Sequence, residues 1–376
     1  MSTTTTETVV TSAPEVAQTL QDPKQYDFDH LPKYEHPPET KEDLPWAELV
    51  TLDLSDFNNE GGKERLAKQL EHAVHHVGFF YVKNFGLSQD QWTRKPSTKL
   101  TTQNADYNGW RRNNHHQVGK VKDNIEIYNI PKFTKDFEGK YAQPPLVQAH
   151  LPEIEVFSKA LHSNVVLPLL RLFAIILQLP DEEYLVNQHT YDKKSEDHFR
   201  YMIYHKRTPE EHEASGYGQT TGHTDLGTVT LLFRQPVAGL QILGDDGNWT
   251  WVSAQPGTIT VNLADTISHL TGGWLKSSIH RVVAPPKDQW EYERTGLLYF
   301  ARPHNDTILK PILDSPVLKE AGVKPRFEKE ITMEEWVRAK QRLQLNPDLA
   351  KGLYQDAEDG TRTVEVIGGF RDRTYK

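Results

Sequence analysis

Cysteine is absent from this chain of 376 residues. Disulfides and thiolate metal sites are therefore excluded, and a transition-metal site has to be built from histidine and carboxylate. A basic block is missing too. The 43 Lys and Arg are mixed with 52 Asp and Glu for a net charge of −9, so no nucleic-acid or membrane partner is expected. Long apolar runs are equally scarce. The longest, residues 165–179, is interrupted by Pro168, Arg171 and Gln178; it is too short to span a bilayer and reads as a buried, Pro-kinked helix. The first residues are rich in Thr, lack an apolar core and carry no Lys or Arg before Lys24. That pattern fits neither a secretory nor a mitochondrial presequence. A disordered tail running into the Pro-bearing stretch up to residue 45, and a cytoplasmic location, are the expectations.

What the chain does have is histidine, 17 in all, and one arrangement of them carries chemistry. Gly222-His223-Thr224-Asp225 places an imidazole and a carboxylate at i and i+2, and Ser278-Ile279-His280-Arg281-Val282 follows far downstream. In a strand, side chains at i and i+2 point to the same face, so His223 and Asp225 can share one metal. With His280 brought alongside they form the 2-His-1-carboxylate set that holds non-haem Fe(II) and leaves positions open.

A single His-x-Asp proves little, and the chain contains its own control. His304-Asn305-Asp306 has the same spacing but follows Pro303 and has no histidine beyond it. Only the first copy opens an apolar β-type run through Val229, Leu231, Leu232 and Phe233. Of the downstream histidines, His269 precedes Gly272-Gly273 in an expected turn. His280 sits in a strand-like run ended by Pro285-Pro286 and is the better third ligand. His72, His75, His76, His115 and His116 lie outside the strand region and read as solvated or capping residues.

Several segments in order resemble the isopenicillin N synthase-like family of 2-oxoglutarate/Fe(II)-dependent dioxygenases. They are His75-His76-Val77-Gly78-Phe79-Phe80-Tyr81-Val82-Lys83-Asn84-Phe85-Gly86, Gly239-Leu240-Gln241, Val261-Asn262-Leu263-Ala264-Asp265, Lys276 to Val282, and Arg294-Thr295-Gly296-Leu297-Leu298-Tyr299-Phe300. The resemblance implies a jelly roll with iron between its two sheets. It also implies an Arg, here Arg294, that grips the far carboxylate of 2-oxoglutarate, assisted by Tyr204. A guanidinium suits that task because its planar fork matches a carboxylate bidentately. By parity Arg294, Gly296, Leu298 and Phe300 share one strand face, whereas Arg281 lies opposite His280 and reads as a structural or solvated charge. Two positions depart from the family: its serine is Gly296 here and its frequent asparagine is Met202. The pocket keeps its charge but loses hydrogen-bond partners, and Gly296→Ser is expected to tighten cosubstrate binding by restoring a donor. Phe300 and Phe199 are candidate substrate-facing aromatics.

The remaining pattern is helix, then sheet, then helix. Residues 62–77 are amphipathic and end at Gly78, and residues 153–179 form a long helix. Strands occupy residues 199–302, with Asp246-Gly247 marking a hairpin. Thr332 and Glu335 make a capping box that opens a helix through Leu343. Residues 88–103 do not fit: where the family has a Phe-rich helix, this stretch is polar, so it is either a substitute loop or the mark of a lost segment.

The expected fold is α+β, a double-stranded β-helix core with flanking α-helices. Its parts are a tail at 1–45, an N-terminal helical and strand region at 46–190, the jelly-roll core at 191–305 and a C-terminal helical extension at 306–376. The expected function is that of a monomeric dioxygenase of secondary metabolism. It would use Fe(II), 2-oxoglutarate and O2, with ascorbate as a stimulant, to hydroxylate, desaturate or cyclise a small molecule with release of succinate and CO2. The alternatives are an oxidase of the same fold that spares 2-oxoglutarate, and a non-catalytic binding relic.

Overall fold

A computed structural model describes residues 35–87, 108–113, 117–118, 120–215, 222–324, 330–345, 353–356 and 361–375. The start of the expected tail, residues 88–103, His115 and His116 lie outside the described residues.

Among the described residues, thirteen strands precede the C-terminal region. They are β1 (Thr51–Asp53), β2 (Phe79–Lys83), β3 (Gly109–Arg111), β4 (Gln117–Val118), β5 (Val121–Lys122), β6 (Ile125–Pro131) and β7 (His198–Tyr204), followed by β8 (Val229–Phe233), β9 (Leu240–Leu243), β10 (Trp249–Trp251), β11 (Thr258–Leu263), β12 (His280–Val282) and β13 (Arg294–Ala301). Eight of them form one sheet in the order β1-β2-β11-β8-β13-β7-β6-β3, and a second sheet has the order β10-β9-β12. Alternation along each strand decides what each face does. In β11, Ile259, Val261 and Leu263 join the large core while Thr258, Thr260 and Asn262 point the other way. In β13, Tyr299 and Ala301 belong to that core, and the face of Arg294, Gly296, Leu298 and Phe300 looks toward the smaller sheet. Between the sheets Phe79 and Tyr81 pack on Leu240, Ile242 and Val252.

Helices cover the outer face of the large sheet. Helix Gly62–His72 buries Leu66, Ala67 and Leu70, then widens into a π turn, Ala73–Val77. Gly78 closes it at φ 73°, its N–H reaching the carbonyl of Ala73 at 2.7 Å. A Cβ there would lie 2.4 Å from the carbonyl oxygen of Lys276, so only glycine lets this turn touch the segment leading to His280. Ser278 completes the contact by donating to the carbonyl of Val77 at 2.6 Å. The long helix begins earlier than its apolar pattern suggests, at Pro145, and runs to Ile176 through a second π turn, His162–Val166. That turn immediately precedes Pro168, whose nitrogen cannot donate an α-helical hydrogen bond. By length and composition this helix could cross a membrane, but 67% of its most apolar window is buried inside the fold, where it serves as the core helix.

Two expected boundaries move. The segment before residue 46 is not all tail. Asp288 accepts from the hydroxyl of Thr40 and the amide of Lys41, Glu39 pairs with Arg234 at 2.5 Å, and Gln289 donates to the carbonyl of Pro38. The C-terminal region is not only helical. After helix Met333–Leu345, opened by the Thr332–Glu335 capping box as expected, come β14 (Gln355–Asp356), β15 (Thr361–Ile367) and β16 (Phe370–Tyr375) in an antiparallel sheet. Phe370 is fully buried against Trp336 and His269, an apolar anchor that explains why these strands stay with the body.

Candidate metal centre and cosubstrate pocket

The backbones of His223 and His280 exchange two hydrogen bonds of 2.9 Å across an isolated antiparallel bridge. This register sets the two imidazoles side by side with centroids 4.4 Å apart. Asp225, two residues on, completes the set. Its Oδ1 lies 3.8 Å from Nε2 of His223 and 3.8 Å from Nε2 of His280, and among the described residues this is the one histidine/carboxylate group whose ligand atoms all fall within 4.8 Å of one another.

Neighbouring side chains aim these atoms. Oδ2 of Asp225 accepts from the Thr230 hydroxyl at 2.6 Å and the Asn262 amide at 3.0 Å, which leaves Oδ1 free to turn toward the imidazoles. Nδ1 of His280 faces the carbonyl of Ser278 at 3.1 Å. An N–H donated there leaves Nε2 as an acceptor, the form a metal needs. Burial opposes charge on Asp225, but the two imidazoles and the two hydrogen bonds outweigh it and keep the carboxyl ionised well below its usual range. His223 is shifted the other way, downward, by desolvation and then by its neighbour His280, although more than half of its side-chain surface is open. A carboxylate beside two imidazoles is the donor set of a divalent transition metal, and three ligands on one side leave coordination positions open. The residues therefore fit Fe(II).

The backbone behind this triad is also held. Asp225 accepts at its carbonyl from the amide of Asp265 at 2.8 Å. The Asp265 carboxylate is itself buried between Ser277, at 2.8 Å, and Lys340, at 2.7 Å.

Farther along β13, Arg294 and Tyr204 are cross-strand partners. The guanidinium lies 5.2 Å over the Tyr204 ring and is 6% exposed. Its Nε donates to the carbonyl of Val237 at 3.2 Å, and among the described residues no carboxylate pairs with it. Burial lowers the pKa of this arginine, while the Tyr204 phenol beside it works in the opposite direction. A buried, unneutralised guanidinium is a receptor for an anion.

Other expected residues fall elsewhere. Phe300 is on the site face, opposite the Thr230 that holds Asp225, with its ring stacked on His198 at 4.7 Å. Phe199 is on the other face, packed against Phe157 and Tyr299 in the core, because it pairs with Tyr299 rather than with Phe300. It cannot reach a substrate between the sheets. His269 is in helix Asp265–Leu270 rather than a turn, against Trp336 and Phe370. His304 is buried beside Thr190. Arg281 sits 4.0 Å over the Trp249 ring and bonds Gln241, the structural charge that its parity suggests. Thr230, Asn262 and Asp265 went unassigned from sequence, although the polar alternation of β11 marks Asn262 as facing the site.

Comparison with known proteins identifies the family. The sequence model of the 2OG-Fe(II) oxygenase superfamily matches residues 183–303, and that of the non-haem dioxygenase in morphine synthesis N-terminal region matches residues 49–97. A 2-oxoglutarate-dependent dioxygenase of Amanita muscaria, iboH, is 33% identical over 165 residues, 43% of this chain and 77% of the relative. The chain belongs to the 2OG-Fe(II) oxygenase superfamily. The dioxygenase FG08081 of Gibberella zeae, another member, is 27% identical across 84% of this chain and 96% of its own length. A family protein of Caulobacter crescentus shares the fold with a TM-score of 0.66 at 20% identity, covering 79% of this chain and 99% of that one. A full-length Neurospora crassa protein in complex with alpha-KG gives a TM-score of 0.65 at 20% identity, over 81% of this chain and 100% of that one. As a 2OG-Fe(II) oxygenase the protein is an iron enzyme that takes 2-oxoglutarate as cosubstrate.

Proposed function

We propose that His223, Asp225 and His280 hold the Fe(II) of this dioxygenase, that Arg294 and Tyr204 receive the far carboxylate of 2-oxoglutarate, and that Phe300 borders the space for a small organic substrate. The observation that carries the reading is the presence of two sites, one built on β12 and the segment before β8, the other on β13. One is a triad whose free carboxylate oxygen is 3.8 Å from each imidazole; the other is a buried guanidinium that no carboxylate neutralises among the described residues. When bound, Fe(II) supplies O2 activation coupled to loss of CO2 from the cosubstrate. The protein's own part is positional. Thr230 and Asn262 orient Asp225, the Ser278 carbonyl fixes the tautomer of His280, and Arg294 anchors a dicarboxylate at its far end.

The test is to incubate the purified protein with Fe(II), ascorbate, 2-oxoglutarate and a metabolite extract. Substrate-dependent succinate, with a product heavier by one oxygen or lighter by two hydrogens, is the expected result. Oxidation without succinate would shift the reading to an oxidase of the same fold.

A further inference from the structure

Gln235 is buried at a cavity that Arg294 also lines, its side chain without a partner among the described residues. It lies just beyond β8, is 7% exposed, and neither its Oε1 nor its Nε2 has a hydrogen-bond partner there. Folded proteins seldom keep a buried amide in that state unless something completes it. The cavity that Gln235 lines is also lined by Arg294 and Gly239. Gly239 is there for space: a Cβ on it would stand 3.0 Å from Nε of Arg294.

Gly296 shows how the amide reaches its place. A Cβ built on Gly296 would lie 1.9 Å from Nε2 of Gln235 and 3.2 Å from Cγ of Met202. The carboxamide nitrogen thus occupies the volume a side chain at 296 would fill. Gly296 is next but one to Arg294 on the same strand face, so a donor there points into the space the guanidinium faces.

We propose that Gln235 is a cosubstrate-binding residue whose Nε2 donates a hydrogen bond to the far carboxylate of 2-oxoglutarate, replacing a hydroxyl that position 296 lacks. The proposal rests on Arg294 receiving that carboxylate. The arginine supplies the charge and a neutral amide supplies a second, directional donor, so the two residues act on one anion from β13 and from the segment that follows β8. Glycine at 296 is then the complement of glutamine at 235, and the two positions form one solution to a single binding problem.

Anaerobic calorimetric titration of the Fe(II)-loaded protein tests this with two ligands. One is 2-oxoglutarate; the other is 2-oxopentanoate, which keeps the keto-acid end but carries a methyl in place of the far carboxylate. Gln235→Leu and Gln235→Met should each raise the Kd for 2-oxoglutarate about tenfold or more, as for a lost bond to a charged group, and leave 2-oxopentanoate unchanged. Adding Gly296→Ser to Gln235→Leu should recover part of the loss. If both variants bind 2-oxoglutarate like wild type while Arg294→Lys is weakened, Gln235 has no such role. Equal weakening of both ligands would also overturn it, reducing Gln235 to packing. If Arg294→Lys binds normally as well, the pocket assignment itself fails along with the proposal.

Discussion

The hydroxyl of Thr230 donates to Oδ2 of Asp225 over 2.6 Å, and Thr230 stands opposite Phe300 on the neighbouring strand. One residue thus orients the carboxylate and sits beneath the expected substrate space. Thr230→Val keeps the shape and removes the donor. We expect Fe(II) affinity to fall about 10- to 100-fold, the usual cost of losing such a partner behind a metal ligand, with an unchanged melting temperature of the metal-free protein. Equilibrium dialysis against Fe(II) measures it.

His223→Ala, Asp225→Ala and His280→Ala should each abolish stoichiometric Fe(II) binding, since each removes one of three donors. His304→Ala and Asp306→Ala should retain it, because His304 is engaged with Thr190 away from the triad. Loss of iron in His269→Ala with retention in His280→Ala would refute the ligand set.

Arg294→Lys should raise the apparent KM for 2-oxoglutarate by about tenfold or more, since an ammonium cannot reproduce the bidentate fork. Gly296→Ser alone, for which the bare sequence suggests tighter binding, is expected from the structure to weaken it. The new side chain would meet Nε2 of Gln235 at 1.9 Å and push that amide aside. Steady-state kinetics with varied 2-oxoglutarate separate the two effects.

Lys340 and Asp265 form a buried ion pair at 2.7 Å with side chains 3% and 8% exposed. Lys340→Met strands a buried carboxylate and should cost about 3–5 kcal/mol in denaturant unfolding. Because the amide of Asp265 holds the carbonyl of Asp225, Fe(II) affinity should fall as well.

His205 is clamped between Glu293, at 2.9 Å, and Glu126, at 3.1 Å. Burial lowers its pKa, yet the hydrogen bonds to the two carboxylates outweigh it and the net shift is upward. The folded protein therefore binds this proton more tightly than the unfolded chain. The resulting stabilisation is complete below the unfolded value near 6.5 and is lost as pH rises through the higher folded value. His205→Gln should flatten the fall in stability across that window, read as melting temperature against pH.

The grouping of His223, Asp225 and His280 was legible because a His-x-Asp pair on extended backbone turns both side chains to one side, although residues 222–225 form no strand beyond the single bridge of His223 with His280. Arg294 came from the family resemblance, and parity then placed Phe300 on its face. Applied to β7, that rule also excludes Phe199, since Tyr204 and Phe199 have opposite parity and only one can face the site. Thr230 and Asn262 were hidden for a different reason. Their convergence on Asp225 depends on β8 and β11 being neighbours, a fact of sheet order and not of local pattern. Gln235 lies beyond the end of its strand, where parity says nothing, and only the volume above Gly296 reveals its use. The C-terminal strands were missed because their burial depends on Phe370 meeting Trp336, a contact distant from the jelly roll's motifs.

That C-terminal region also has a bearing on how the enzyme is handled. Lys340 lies in the helix over which β15 and β16 are folded, and it neutralises the carboxylate whose own amide steadies Asp225. Cutting the chain after β13 would spare every residue proposed to hold iron or cosubstrate, yet it would unseat one of them from behind. Truncation libraries, cleavable fusions and domain swaps designed around the catalytic motifs alone would therefore yield a protein that still looks complete in an alignment and loads metal poorly.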